Sequence, residues 1–438
     1  MTKKVLALVS TLVFIALLSG ALADQGQRRL SLDQAIEMAL ANHPQLRKAE
    51  LAVTGGEARV TYARSRSYPQ VNSGGIAKQG LSGSGAAFGL EGLANSPEPD
   101  DMAVSVNAYY DLLDFGRAKH ETSARKRELA SLQHQLSAVE AEVIRDVQKS
   151  YFTSLKTAKL VEVAERNLEA IRLNLRQAEA FFRAGLRSKI DVHLAQAGVS
   201  RAQLRLTQMQ NEQAVSLAAL GHAMGRADSS AQFQLEEPDL RLEEMQALPV
   251  LIAAGLANRP ELRALEAQIE AREAWVERAK KERYPRIMVA FSGGWTRFAE
   301  LSLSNLLFGG LAIKLPVFAG GQLKASIQEN EQIQQQAIAA RNQLLQDIPL
   351  EITTVYHQLS NLTEAVRIFD ELRTYADDAL RLARARYRME LADRVELALV
   401  QAAQAEAESE YYSALYDYEI QTAELRYRTG QTLWGLAP

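Results

Sequence analysis

Histidine and cysteine are the side chains that most often bind metals or act as nucleophiles, so their number and spacing set the first limits on function. The chain contains no cysteine, which excludes a disulfide framework, thiol catalysis and thiolate metal sites. No two histidines stand three or four positions apart, the spacing that places two side chains on one face of a helix. The histidines are His43, His120, His134, His193, His222 and His357. We expect no metal site among them.

Other motifs that could support catalysis also point away from an enzyme. Gly83, Gly85 and Gly89 do not form a phosphate-binding loop, because no strand leads directly through them into a helix. We find no nucleophile motif, no metal-ligand spacing and no nucleotide loop, so the sequence predicts neither an enzyme nor a cofactor. The 50 basic and 53 acidic residues lack the basic excess that nucleic-acid binding usually requires.

Residues 1–23 have the three parts of a secretory signal peptide. A positive start at Lys3 and Lys4 is followed by an apolar run from Val5 to Leu18 and by the small-x-small cleavage site Ala21-Leu22-Ala23. The apolar run is 14 residues long, whereas a membrane-spanning helix needs about 20. We predict cleavage after Ala23 and a mature protein outside the cytoplasm.

The rest of the chain is an internal duplication, which decides its architecture. The segment Ala41–Arg47 recurs in similar form as Ala257–Arg263, and Tyr68-Pro69 recurs as Tyr284-Pro285, both displaced by 216 residues. Later matches are displaced by 205 residues: Gly116 with Gly321, Tyr151 with Tyr356 and Gly225 with Gly430. The register therefore changes once, which places the length difference in a loop between fixed elements.

Each copy has the same predicted order of a helix, two strands and a long helical hairpin. The first repeat covers 24–225 and the second 247–430, with a linker at 226–246 and a short tail at 431–438. The predicted elements are helices at 31–66 and 247–282, strand pairs at 68–113 and 286–316, and hairpins at 117–225 and 321–430.

The strand segments alternate between apolar and polar residues, with the period of two that is typical of a half-buried strand. The apolar face carries Val104, Val106, Ala108 and Tyr110 in the first copy and Leu307, Leu311 and Ile313 in the second. The segment after Pro69 gives the least apolar face. Gly/Ser-rich residues 79–101 are predicted as a loop, and a shorter loop near 296–304 accounts for the missing residues.

A very long helix follows each strand pair. Residues 117–184 contain no proline and no glycine, and these 68 residues would span about 100 Å as a helix. Apolar residues from Val161 to Phe182 repeat at alternating spacings of three and four, which is typical of a coiled-coil seam. We expect a break at Gly185 before a return helix, and in the second copy Pro349 should interrupt and kink the long helix.

Four strands per chain leave two open sheet edges, which a bilayer does not tolerate because unpaired backbone groups cannot be hydrated there. One chain's strands cannot close around a lumen, so several chains must pool them, and three copies would supply about twelve. We predict a mainly α-helical protein with a membrane β-barrel part, whose long helices project from the membrane and pack into an α-barrel.

In these features the chain resembles the TolC family of outer-membrane factors along its whole mature length. The matching motifs are Tyr68-Pro69, Tyr284-Pro285, Leu113–Gly116, Pro316–Gly321 and the helix turn Phe182–Val192. The resemblance implies a homotrimer, with a barrel of about twelve strands in the outer membrane of a Gram-negative bacterium and a helical tunnel in the periplasm. It also implies docking onto a periplasmic adaptor (membrane fusion) protein and an inner-membrane pump of the RND or ABC type.

The resemblance further assigns the two hairpin turns to the periplasmic tip, where relatives contact the adaptor and constrict the closed channel. The adaptor-contact candidates are Phe182, Gly185, Leu186, Ser188, Asp191 and Leu391. The gate candidates are Tyr387, Asp393 and Glu396. Glu390 replaces the usual glycine of the second turn, and Leu399 replaces a second acidic residue, so a double acidic gate is not expected.

Two roles are open for Glu396. In a trimer, three carboxylates would form a ring around the pore axis that attracts cations. Alternatively, Glu396 is a solvated acid at a helix start, where the helix dipole favours a negative charge. The basic run Arg381, Arg384, Arg386 and Arg388 beside it is either a solvated face or a set of ion pairs that lock the tip.

Three classes of function compete. An export duct explains the signal peptide, the duplication, the strand pairs and the long helices together. A periplasmic coiled-coil scaffold or adaptor without a barrel explains the helices but gives the strands no purpose, and nothing supports a secreted enzyme. The exported cargo stays open, because in ducts of this kind the pump and the adaptor choose it.

Overall fold

The structure is a computed structural model that describes residues 29–78, 101–186, 188–226, 234–298, 301–389, 391 and 394–431. The predicted signal peptide with Ala23, most of the loop at 79–101 and the gate candidate Asp393 lie outside these residues. The elements are α1 (Leu32–Asn42), α2 (Pro44–Ser65), β1 (Gln70–Lys78), β2 (Asp101–Leu113), α3 (Arg117–Arg183), α4 (Lys189–Ala223), α5 (Leu248–Asn258), α6 (Pro260–Lys281), β3 (Arg286–Phe298), β4 (Leu301–Lys314), α7 (Gln322–Arg388) and α8 (Arg394–Arg428).

The same order of elements occurs twice: two short helices, two strands, a helix of 67 residues and a return helix of 35 residues. The gap between α3 and α4 confirms the predicted break at Gly185. Helix α7 continues through Pro349, so the predicted interruption is wrong. Proline removes one backbone hydrogen bond, a loss that is small beside the many others in so long a helix. No helix in the described part of the chain is long and apolar enough to cross a membrane.

Each predicted first helix is in fact two helices. His43 (φ −69°, ψ 124°) and Arg259 (φ −63°, ψ 122°) are extended, and Pro44 and Pro260 begin the next helices. The residue before a proline is pushed out of helical geometry, while proline itself suits the first helical position. In both copies the residue before the proline therefore ends one helix, and the proline starts the next.

The chain forms two compact units, and each contains segments of both repeats. The hairpin unit comprises Met1–Arg47, Val139–Asn258 and Ile348–Pro438, and the sheet unit comprises Lys48–Ala138 and Arg259–Asp347. The compact units therefore do not coincide with the two sequence repeats.

The sheet unit holds one antiparallel sheet in the order β1-β2-β3-β4. Each strand pairs with its neighbour in sequence, so β1 and β4 are the two edges. Val104 lies opposite Trp295, and Phe291 lies opposite Gly309. This register brings the predicted apolar positions of neighbouring strands to one face of the sheet.

The two faces of the sheet differ in chemistry. On the apolar face, Leu307, Leu311 and Ile313 are 77%, 71% and 70% exposed. On the other face, the Ser292 hydroxyl donates to the Asn107 side-chain oxygen at 2.5 Å. An open apolar face of this kind is typical of a surface that contacts lipid or another protein.

In the hairpin unit, α3 packs against both α4 and α8. The buried cluster between α3 and α4 consists of Val161, Ala164, Leu168, Ala202, Leu206 and Met209. Three of these residues belong to the predicted coiled-coil seam, which confirms that this part of the seam is buried. Toward α8, Arg166 forms an ion pair with Glu408 and Lys156 with Asp417, each at 2.7 Å.

Residues 234–246, which we name the strap, tie the start of the described chain to α3. Leu30 forms a parallel bridge with Leu235. The Tyr151 hydroxyl lies 2.8 Å from the Leu30 carbonyl oxygen and 2.6 Å from that of Glu236. Burial raises the pKa of Tyr151 to about 12, so this hydroxyl keeps its proton at neutral pH and remains a hydrogen-bond donor.

Two glutamates extend the strap's contacts to α8. The Glu237 carboxylate accepts a hydrogen bond from the Tyr416 hydroxyl at 2.9 Å and pairs with Lys159 of α3 at 3.1 Å. The backbone N–H of Glu243 donates to the Tyr418 hydroxyl at 2.8 Å. Residues 234–246 of the predicted linker are therefore a structural part of the hairpin unit that joins α3 to α8.

We predict that Gly225→Ala lowers stability more than Gly185→Ala. Both glycines are left-handed (φ +73° and +75°), but a Cβ at Gly225 would lie 2.8 Å from the His43 Cα, whereas one at Gly185 would meet nothing within 4 Å. The left-handed backbone alone should cost about 1 kcal/mol, and the added clash should bring the cost at Gly225 to about 3 kcal/mol. The apparent unfolding temperature measures both, and equal losses would contradict the packing argument.

We also predict that Glu419 makes stability depend on pH. Burial raises the pKa of Glu419 from 4.5 to about 7, with Glu243 adding to the rise and Arg426 opposing it. A carboxyl with a higher pKa in the folded chain binds its proton more tightly when folded, so stability should fall as the pH rises from 4.5 through 7. Unfolding temperatures at about pH 5 and about pH 8 should differ less in Glu419→Gln than in the wild type. An unchanged difference would show that Glu419 is not responsible.

Candidate functional site

The first hairpin turn ends α3 with a glycine cap. The Gly185 N–H donates to the Phe182 carbonyl at 3.0 Å, and the Leu186 N–H donates to the Phe181 carbonyl at 2.9 Å. This pair of bonds is the Schellman arrangement, which needs the left-handed backbone that glycine adopts at no cost. Phe182 and Leu186 are left exposed at the turn, so two adaptor-contact candidates present apolar surface there.

The other two candidates of this turn start α4. The Asp191 carboxylate accepts hydrogen bonds from the Ser188 backbone N–H at 3.1 Å and from the Ser188 hydroxyl at 3.0 Å. A carboxylate at the third helical position commonly satisfies the cap in this way and also suits the positive end of the helix dipole. Both residues therefore have a structural role at this turn.

The second hairpin turn is held by Arg386. Its guanidinium pairs with Glu396 at 2.8 Å and donates to the Leu391 carbonyl at 3.3 Å. The Leu391 N–H in turn donates to the Arg386 carbonyl at 2.9 Å. One arginine therefore fixes the turn by both its backbone and its side chain, across the ends of α7 and α8.

The gate candidates have different surroundings. Tyr387 packs against the buried cluster of Leu380, Ala383 and Leu397, so its ring is half-buried between the arms of the hairpin. Glu396 is an ion-pair partner of Arg386, and Asp393 lies outside the described residues. The structure therefore pairs Glu396 with one arginine of the basic run, in line with the ion-pair alternative for that run.

The spacing of Arg386 and Glu396 in the sequence is a signal for their pairing. Both residues stand five positions from Leu391, and equal distances from a turn bring two residues of antiparallel arms to one level. The neighbouring Arg381 instead pairs with Asp378 along its own helix at 2.8 Å. The basic run is therefore mixed: one arginine crosses the turn and another faces solvent.

A groove of about 610 Å³ lies beneath the second turn, lined by α3, α7 and α8. Its polar walls include Arg166, Asp377, Arg384, Arg388, Gln401 and Glu408. Among the described residues, no group of three His, Asp or Glu side chains is arranged to hold a metal ion. The two turns and this groove therefore present exposed apolar side chains and charged walls.

The combination of long helical hairpins with an open apolar sheet is the fold of outer-membrane channels. The open-state structure of the Neisseria gonorrhoeae MtrE outer membrane channel superposes with a TM-score of 0.76 at 20% identity, covering 92% of this chain and 89% of that chain. The family described as outer membrane efflux protein matches residues 35–226 and 251–431. The chain belongs to this family, which confirms the resemblance drawn from the motifs.

Two relatives in the family carry names that differ in the substance exported. The chain is 24% identical to the cation efflux system protein CusC of Escherichia coli K12, over 80% of this chain and 76% of CusC. It is 25% identical to the toluene efflux pump outer membrane protein TtgC of Pseudomonas putida, over 84% of this chain and 77% of TtgC. The chain is an outer-membrane channel component of an efflux system, with its helical part in the periplasm. Its family is one of channels and not of enzymes.

We predict that Asp191→Ala loosens the first turn of α4. The substitution leaves the Ser188 backbone N–H without its acceptor, and loss of a helix cap typically costs about 1 kcal/mol. Amide hydrogen exchange in the first turn of α4 should therefore accelerate about fivefold. His193→Ala, two positions further along α4, is the matched control. An equal acceleration in the control would contradict the capping role.

Proposed function

We propose that three copies of the chain form a passive export duct, with a barrel of about twelve strands in the outer membrane and a helical tunnel in the periplasm. The observation that carries this proposal is the sheet of the described residues, with one open apolar face and with β1 and β4 as its outer edges. In lipid, the apolar face can point outward only if each edge finds another strand. The edges of sister copies supply those strands.

The alternative of a periplasmic scaffold without a barrel accounts poorly for the same sheet. In water, Leu307, Leu311 and Ile313 would expose a continuous apolar face, which soluble proteins rarely leave uncovered. A lipid environment removes this cost, because the hydrocarbon is as apolar as the side chains. The scaffold reading therefore needs a further apolar partner, whereas the duct does not.

We propose that the duct works with a periplasmic adaptor and an inner-membrane pump of the RND or ABC type, and that it has no catalytic step and no cofactor. The exposed apolar residues Phe182, Leu186 and Leu391 at the turns support an adaptor contact, as does the groove beneath the second turn. The named relatives export cations in one case and toluene in the other. A generic duct whose cargo is chosen by the pump fits that difference.

For the gate we propose that the Arg386–Glu396 ion pair holds the second turn at the pore entrance, together with Tyr387. The pair spans the ends of both arms at 2.8 Å, so it resists their separation. Near a narrow pore the two charges largely cancel as long as they stay paired. Removing either partner leaves three copies of the other charge around the axis, which then attract ions of the opposite sign.

Opposite changes in ion selectivity test this gate. Glu396→Gln should shift the channel several-fold toward anions because Arg386 is left unpaired, and Arg386→Gln should shift it several-fold toward cations. The reversal potential of single channels in a KCl gradient measures the permeability ratio. The double variant is the control and should return close to the wild type.

Unchanged selectivity in both single variants would contradict a position of this pair at the pore. A shift in Glu396→Gln alone would instead favour an unpaired carboxylate ring.

A further inference from the structure

The connection from β4 to α7 carries apolar side chains that are almost fully exposed in a single chain. In the turn Leu315–Phe318, Val317 is 89% exposed and Phe318 is 91% exposed. At the other edge of the sheet, Tyr68, two residues before β1, is 66% exposed. Neither the Phe318 ring nor the Tyr68 ring stacks on another ring among the described residues.

The corresponding connection in the first repeat has a partner within the chain. Between β2 and α3, the Phe115 ring stacks on the Tyr284 ring with centroids 5.3 Å apart. Arg117, the first residue of α3, donates to the carbonyl oxygens of Lys281 at 3.1 Å and Tyr284 at 2.5 Å. The end of β2 is thereby fastened to the helix end that precedes β3.

The internal repeat predicts where the second connection should be fastened. Tyr68 corresponds to Tyr284, and Gly116 corresponds to Gly321, with the left-handed φ values of +90° and +88° at the two glycines. Within the chain, β2 is the second strand of the first repeat and pairs with β3, the first strand of the second repeat. The next contact of the same kind joins β4 to the β1 of another copy, because β1 and β4 are at opposite edges of the sheet.

We propose that the turn Leu315–Phe318 of one copy packs on Tyr68 of the next copy, with Phe318 stacking on the Tyr68 ring, and that this contact fastens each junction between copies. The inference rests on the proposed assembly of three chains. At this contact the sheet of one copy meets that of a second copy of this chain, and each copy covers the exposed residues of the other.

The contact inside the chain and the proposed contact between copies differ in their balance of polar and apolar interactions. The position of Arg117 is taken by Gln322 in the second repeat, and a glutamine side chain offers two N–H donors where arginine offers five. The strand-to-helix connection of the second repeat is also longer, since residues 315–321 separate β4 from α7 but only 114–116 separate β2 from α3. Fewer polar bonds and a longer apolar turn make apolar packing the main contribution at the junction between copies.

The absence of native cysteine permits a direct test with a short bismaleimide crosslinker. The variant Tyr68→Cys/Phe318→Cys, purified in detergent, should give covalent dimers and trimers on a denaturing gel. The variant Phe115→Cys/Tyr284→Cys is the matched control, because the same reagent should join its cysteines within one chain and leave a monomer band. The single variants Tyr68→Cys and Phe318→Cys should also stay monomeric on the gel.

Light scattering on the same samples separates the possible failures. Trimers that do not crosslink, with Phe318→Cys modified by a lipid-soluble maleimide, would overturn the contact and assign the turn to the membrane surface. A monomeric wild-type protein would overturn the assembly of three chains as well. Tyr68→Cys/Val317→Cys repeats the test with Phe318 retained, and covalent trimers from this variant would support the contact even if the first variant does not assemble.

Discussion

The need to pair every backbone N–H and C=O group in a membrane governs this protein. The described part of one chain provides a four-stranded sheet whose outer edges are β1 and β4, and hydrocarbon offers those edges no water. The apolar face of the sheet nevertheless suits lipid. In the proposed duct, a chain with this sheet is therefore complete only together with other copies, and the duplication lets one rule of strand pairing serve inside a chain and between chains.

The helical part meets a different requirement, since its long helices must hold each other without a compact globular core. Small and branched apolar residues bury the seam between α3 and α4, while ion pairs such as Lys156–Asp417 join α3 to α8. The strap adds a crosswise tie through Tyr151 and Glu237. Polar contacts at intervals along the helices thus fix their register, and the two turns remain available for partners.

Features that depend on local periodicity could be read from the sequence. The alternation around Val104 and Leu311 predicted the strands and their apolar face, and the left-handed Gly185 was visible as a break in a long helical pattern. The Tyr-Pro and helix-turn motifs led to the right family. Features that depend on tertiary contact could not be read in this way.

The continuity of α7 through Pro349 and the strap illustrate that limit. A proline disfavours a helix in the preceding residue, but the surrounding structure decides between a break and a tolerated defect. At the candidate gate, the charge of Glu396 was evident, whereas its pairing with Arg386 depends on the turn that brings the two arms together.

Nitroxide labels placed one at a time from Ile287 to Phe291 of β3 test the central claim most directly, by comparing collisions with oxygen and with a water-soluble nickel complex in lipid bilayers. The account predicts a period of two: labels at Ile287, Val289 and Phe291 should favour oxygen, and those at Met288 and Ala290 the nickel complex. Equal access of water to all five positions would contradict a sheet that lies in lipid.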